Sequence, residues 1–145
     1  MSKPINNFYS EKNILIVGLG KSTLALAKLL HARGAVVRVS EINPKDNVAE
    51  ASRELATMKP EIEAEYGKHS PEWFLASDMI VVGPGIRLDA KPLDEARAKG
   101  IAILSDLELL SREISAPIIA FAGTAGKTTA ALLSKAFLEA SRKSV

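Results

Sequence analysis

Short β-branched and apolar runs alternate with amphipathic stretches along this chain, and glycines punctuate several of the boundaries. This alternation predicts an α/β fold, with a parallel sheet, right-handed crossovers and helices on both faces. Composition permits it. The chain has 145 residues, 47% of them hydrophobic, enough to bury a real core in one domain of ordinary size. Nineteen Lys and Arg against 17 Asp and Glu leave a net charge of +2, too small to argue for nucleic acid. The absence of cysteine excludes a disulfide scaffold and any Cys-ligated zinc or iron–sulfur site. Two histidines far apart in sequence, His31 and His69, do not suggest a His-rich metal centre. Met1 to Lys12 is polar and has no signal-peptide core. No apolar run approaches the ~20 residues of a membrane helix. A soluble, cytoplasmic chain without a membrane partner is expected.

The elements follow in order. Ile14-Leu15-Ile16-Val17 is a short apolar run ended by Gly18, the pattern of a strand buried on both faces. Ser22 to Arg33 carries an apolar stripe at helical spacing, with Gly34 as its stop. Val36 to Val39 is a second strand. Asn43 to Asp46 is a loop, and Val48 to Met58 a helix closed by Pro60. Ile62 to Tyr66 alternates as a third strand, and Pro71 to Ala76 makes one or two helical turns. Met79 to Val82 is a strand ended by Gly83-Pro84-Gly85. Pro92 to Lys99 is a helix backed by Gly100, and Ile101 to Leu104 a strand. Asp106 to Arg112 is a short helix whose acidic first turn suits the helix dipole. Pro117 to Phe121 is a last strand, Gly123 to Thr129 a turn, and a final helix runs to about Arg142. The stretch from Glu41 to Glu65, with seven acids against three bases, reads as solvated surface.

Such sheets bind ligands beyond the carboxyl ends of their strands, and three glycine-bearing turns stand there. Gly18-Leu19-Gly20-Lys21-Ser22-Thr23 matches the first two glycines of a G-x-G-x-x-G fingerprint, so backbone N–H groups can approach a nucleotide diphosphate. Thr23 stands where the third glycine would be. Glu41 ends the second strand 21 residues after Gly20, placed to accept hydrogen bonds from a ribose or a base. These features make the sheet Rossmann-like. Gly83-Pro84-Gly85 is either a tight connection or a second wall of the same site. Gly123-Thr124-Ala125-Gly126-Lys127-Thr128-Thr129 places G-K-T at a helix N-terminus, where backbone donors, a lysine and a hydroxyl suit phosphates and Mg²⁺. The strict P-loop pattern needs glycine at position 121, which is Phe121. Other residues read more plainly. His31 is a surface or packing residue, Trp73 and Phe74 a core anchor. Asp106 and Glu108 serve capping and solvation, because residues two apart do not share a helix face.

Together the turns resemble the Mur ligases of peptidoglycan synthesis. The resemblance rests on Ile16 to Ser22, Val82 to Ile86, Asp106 to Glu113 and Ala122 to Thr129. It keeps the order and spacing of that family's amino-terminal region over essentially the whole chain. The family's P-loop also lacks the early glycine, which accounts for Phe121. The resemblance implies an ATP-dependent ligase that builds cell wall and so serves cell shape and division. ATP and Mg²⁺ would phosphorylate the alanine carboxylate of UDP-N-acetylmuramoyl-L-alanine, and the amine of D-glutamate would attack the acyl phosphate. It also implies two domains: residues 1–115 as a Rossmann-like UDP-substrate-binding domain, and 116–145 as the first strand, P-loop and helix of a truncated ATPase domain. Carried over by position, Gly20, Lys21 and Ser22 face the diphosphate, and Gly18 and Leu19 belong to the same UDP-substrate-binding turn. Glu41, Ile42 and Asn43 meet the uridine, and Gly83, Pro84 and Gly85 complete its pocket. Gly123 to Thr129 hold ATP, with Lys127 neutralising the β/γ-phosphates and Thr128 binding Mg²⁺ as the catalytic pair.

Four positions depart from the family pattern. Ala125 replaces asparagine, Gly83 serine, Thr23 glycine and Glu41 aspartate. The chain is also far shorter than such a ligase, so it is expected to be a fragment without ligase activity of its own, although the complete ligase would be a monomer. Its final segment, cut from its sheet, is expected to fold back, to pair with a second copy or to be mobile. Two other readings of the residues are an NAD-binding domain of an oxidoreductase or sensor, and a non-catalytic UDP-sugar-binding module.

Overall fold

The computed structural model describes residues 7–141. The chain forms two compact units, the first ending at Glu113 and the second beginning at Ile114.

In the first unit the strands are β1 (Asn13–Val17), β2 (Val36–Glu41), β3 (Glu63–Tyr66), β4 (Met79–Val82) and β5 (Ala102–Ser105). The connecting helices are α1 (Lys21–Ala32), α2 (Ala49–Ala56), α3 (Pro71–Leu75) and α4 (Lys91–Ala98), and α5 (Asp106–Glu113) closes the unit. Pairing is parallel throughout, in the order β3-β2-β1-β4-β5. The chain therefore winds outward from β1 to β3, then crosses back to β4 on the other side of β1. At that reversal the chain after β1 and the chain after β4 run to opposite faces of the sheet, the position at which such folds bind ligands.

Strand periodicity explains the core. Ile14, Ile16, Val37, Val39 and Val81 face one side of the sheet, with Leu30 of α1, Leu55 of α2 and Leu109 of α5 in the same cluster. Leu15, Val17, Ile80 and Val82 face the other, with Phe74 of α3 and Leu93 and Ala96 of α4. Successive side chains of one strand thus feed two layers, which is why β1 and β4 read as unbroken apolar runs. Each fully buried aliphatic side chain contributes about 2 kcal/mol of transfer free energy. Glu113 at the end of α5 accepts hydrogen bonds from the Tyr9 hydroxyl (2.8 Å) and from Arg33, tying three segments together.

The second unit contains α6 (Lys127–Ala140). The helix end expected at Arg142 lies outside the described residues. The strand expected over Pro117 to Phe121 is not formed, and this stretch is irregular and exposed. A strand exists only through ladder bonds to a neighbour, and nothing among the described residues pairs with it. Along α6, Leu132, Leu133 and Phe137 are exposed as well.

Candidate functional site

The carboxyl ends of β1, β2 and β4 converge on the first glycine turn. Gly18 N–H donates to Ser40 O (2.8 Å), and Gly83 N–H donates to Val17 O (2.9 Å). Gly18 has φ +89°, and a Cβ there would lie 3.1 Å from Ile86 Cδ1. Only glycine satisfies both the left-handed backbone and the side chain of Ile86 packed above it. The turns at Gly18 and Gly83 are therefore one structure.

Two side chains brace this turn from inside. Glu41 is 4% exposed. Its Oε2 accepts Leu19 N–H (2.5 Å), and its Oε1 accepts Asn43 N–H (2.8 Å) and Asn43 Nδ2 (2.7 Å). The acid expected to meet a nucleoside thus holds the backbone of the turn, while Ile42 and Asn43 beside it are exposed. Thr23 Oγ1 accepts Gly20 N–H (2.8 Å) and donates to Gly20 O (3.2 Å). The sequence marked Thr23 only as a missing glycine; its hydroxyl at the third position of a helix was the available signal.

With these bonds made, the amides of residues 18, 19 and 20 are all occupied. The first bond of α1 runs from Leu24 N–H to Gly20 O (2.9 Å), so the amides of Lys21, Ser22 and Thr23 have no intrahelical acceptor. They lie at the positive end of the helix dipole, with the exposed Lys21 and the half-buried Ser22 on the same turn. A cleft of about 620 Å³ starts at Gly20 and Lys21 and runs along α1 to Lys28, with Leu24, Asn47 and Glu54 in its walls. Gly83 is buried against the turn, whereas Pro84 and Gly85 are exposed.

A second polar cluster escaped sequence analysis. Ser40 Oγ lies 2.7 Å from Glu65 Oε1 and 2.6 Å from His69 Nδ1, and Glu65 also accepts from Ser70 N–H (2.8 Å) and Ser70 Oγ (2.5 Å). Inward alternation along β3 puts Glu65 at a buried position, where an acid must find partners; that was the overlooked signal. A carboxylate only accepts, so Ser40 gives its hydrogen to Glu65 and takes one from His69 Nδ1, leaving Nε2 to bind any further proton. Burial raises the Glu65 pKa, but the hydroxyls of Ser40 and Ser70, the Ser70 amide and nearby Lys68 outweigh it, so the carboxyl titrates below its ordinary range. Burial pushes His69 below the ordinary histidine value of 6.5, against the opposing pull of Glu65 and Glu41. Both folded pKa values are depressed, so both groups stabilise the fold at high pH and lose that contribution as pH falls. The melting temperature is expected to drop first below pH 6.5, where His69 resists protonation, and again in the acid range of Glu65. His69→Asn, which keeps a donor for Ser40, should remove the first drop and leave the second. An unchanged pH profile would refute the assignment.

In the second unit, Gly126 at φ +76° caps α6, and Lys127 Nζ donates to Gly123 O (2.5 Å). The lysine thus reaches back across the loop. The first bond of α6 runs from Ala130 N–H to Gly126 O, so the amides of Lys127, Thr128 and Thr129 have no intrahelical acceptor. Thr124 and Ala125 are exposed in the same loop.

Residues read as structural sit in structural places. His31 Nε2 lies 3.1 Å from Lys59 O. Phe74 is buried, and Trp73 takes the Arg38 guanidinium over its ring at 5.5 Å. Glu108 pairs with Arg112 on the surface (2.8 Å). Asp106, expected to be solvated, is 6% exposed and accepts Leu107 N–H (2.9 Å), while Ser105 Oγ accepts Glu108 N–H (3.1 Å). Among the described residues no helix is long and apolar enough to cross a membrane.

An all-parallel sheet with glycine turns at its reversal and an open helix N-terminus is the arrangement of α/β domains that hold phosphate-bearing ligands. The chain belongs to the Mur ligase family, whose MurD-like N-terminal domain matches residues 12–105. It is 42% identical over 122 residues to a UDP-N-acetylmuramoylalanine–D-glutamate ligase of Geobacter sp. (strain M21), covering 84% of this chain and 26% of that protein. The corresponding ligase of Desulfosudis oleivorans is 38% identical over 147 aligned residues, covering 99% of this chain and 30% of the relative. Among solved structures, the UDP-N-acetylmuramate-alanine ligase MurC of Thermotoga maritima superposes with a TM-score of 0.57 at 27% identity, covering 92% of this chain and 30% of that one. The chain spans about a quarter to a third of the length of these relatives.

Proposed function

We propose that the first unit binds the UDP moiety of a UDP-N-acetylmuramoyl-L-alanine substrate, as part of an ATP-dependent ligase that adds D-glutamate in peptidoglycan precursor synthesis. One observation carries the reading: Glu41 and Thr23 brace the first glycine turn from inside, and the amides of Lys21 and Ser22 at the start of α1 have no intrahelical acceptor, with Lys21 at the mouth of a cleft. Two phosphates need such a cluster of donors, and a rigid turn spares the cost of ordering it on binding. Ile42 and Asn43, exposed at the end of β2, and Pro84 and Gly85 after β4 flank the place where the uridine would lie.

ATP and Mg²⁺ fit the second turn. The amides of Lys127, Thr128 and Thr129 and the ammonium of Lys127 suit phosphate oxygens, and the Thr128 hydroxyl suits Mg²⁺. There the metal would neutralise charge on the transferring phosphoryl group. Lys127 would exchange its bond to Gly123 O for a phosphate, so the loop carbonyl acts as a placeholder for the ligand. Gly123 to Gly126 would wrap the phosphate chain.

Calorimetry with UDP-N-acetylmuramoyl-L-alanine, UDP and NAD separates the readings. Binding of both uridine ligands, with NAD silent, is expected. NAD bound more tightly than UDP would replace this proposal with the dinucleotide-binding one.

A further inference from the structure

Gly83 is buried, and its φ lies outside the left-handed region, so its backbone would accept any residue. Space is what forbids a side chain. A Cβ at this position would lie 3.0 Å from Thr23 Cγ2 and 3.3 Å from Val17 O. The methyl of Thr23, on the first turn of α1, occupies the space that a side chain at position 83 would need.

That methyl cannot swing aside freely. Thr23 is buried, and its Oγ1 both accepts Gly20 N–H and donates to Gly20 O. Rotation about χ1 that moved Cγ2 away from position 83 would carry Oγ1 off Gly20. Gly83 is pinned as well, by its N–H to Val17 O at 2.9 Å. Pressure at 83 is therefore relayed to the backbone of Gly20, the residue immediately before the open amides of α1.

We infer that Thr23 is a positioning residue that latches the β4 turn to the phosphate-facing turn: its methyl seats on Gly83 while its hydroxyl holds Gly20. The inference rests on the proposed diphosphate site for its functional meaning, but the latch itself is a property of the ligand-free fold. Gly83 and Thr23 form one unit, and the residue allowed at one depends on the other.

The test uses the whole chain and variants that separate the two halves of the latch. Thr23→Ser removes Cγ2 and keeps the hydroxyl; Thr23→Val keeps a methyl in place and removes the hydroxyl. Gly83→Ala alone should lower the melting temperature by about 5 °C, as expected for overpacking in a domain of this size. In the Thr23→Ser background the same change should cost less than half as much, since only the Val17 O contact remains. Equal losses in both backgrounds would overturn the packing half. Amide exchange at Gly20 should accelerate about tenfold or more in Thr23→Val and stay slow in Thr23→Ser. Equal protection in the two variants would overturn the hydroxyl half. UDP affinity should fall about tenfold in Thr23→Val and be retained in Thr23→Ser. Equal UDP affinity in the two variants would remove the positioning role. If the unaltered chain failed to bind UDP, the proposed function would fall, while melting and exchange would still decide the latch.

Discussion

Gly20→Val is expected to abolish UDP binding while leaving the fold intact. Gly20 is extended, with φ −113° and ψ −176°, so no left-handed strain bars a side chain. A Cβ built there meets nothing within 4 Å, because it points out of the protein on the side where α1 begins. The cost to the fold is limited to replacing glycine by a poorer N-cap, so the melting temperature should stay within about 5 °C of the unaltered chain. A branched side chain in that open space would stand between a diphosphate and the amides of Lys21 and Ser22. Losing one or two charge-assisted hydrogen bonds weakens binding by about a hundredfold or more. Calorimetry with UDP reads the effect directly. Unchanged affinity would mean that the phosphates do not lie on this turn.

Glu41→Ala carries the largest expected loss of stability at the site. The carboxylate is the acceptor for Leu19 N–H, and Leu19 is itself buried, so removing it leaves a backbone donor in an apolar setting. An orphaned buried donor costs about 2 kcal/mol, equivalent to a melting temperature lower by about 10 °C for a unit this size. Asn43 also loses the oxygen that fixes its amide and side chain, though it is exposed and water can replace that partner. Glu41→Gln, which keeps one carbonyl oxygen for Leu19, should recover most of the loss. UDP affinity should follow stability through the series, because Glu41 acts by holding the turn. Full stability in Glu41→Ala with lost UDP binding would instead make Glu41 a direct ligand contact.

Pattern alone carried much of the first unit. The runs at Ile14 and Met79 are apolar at every position because both faces of those strands are covered, and a sequence of two strand faces cannot be read any other way in a helix-crossed sheet. Gly18 marked the turn that ends the first strand, and the order of turns and strands placed that turn at a carboxyl end. Family membership was legible for the same reason, since it rests on short segments whose backbone geometry restricts the residues allowed.

Contacts between distant segments were decided by the tertiary structure. Glu41 looked available to a ligand because sequence shows where an acid stands, not which way its carboxylate turns; folding turned it onto Leu19. Thr23 and Gly83 are 60 positions apart, and only packing of β1 beside β4 makes one the reason for the other. Buried Glu65 and half-buried His69 became one hydrogen-bonded cluster because β3 pairs with β2 and brings them to Ser40. Pro117 to Phe121 shows the converse: strand propensity was present, but a strand is a pairwise structure, and without a neighbour to complete its hydrogen bonds the backbone there stays irregular.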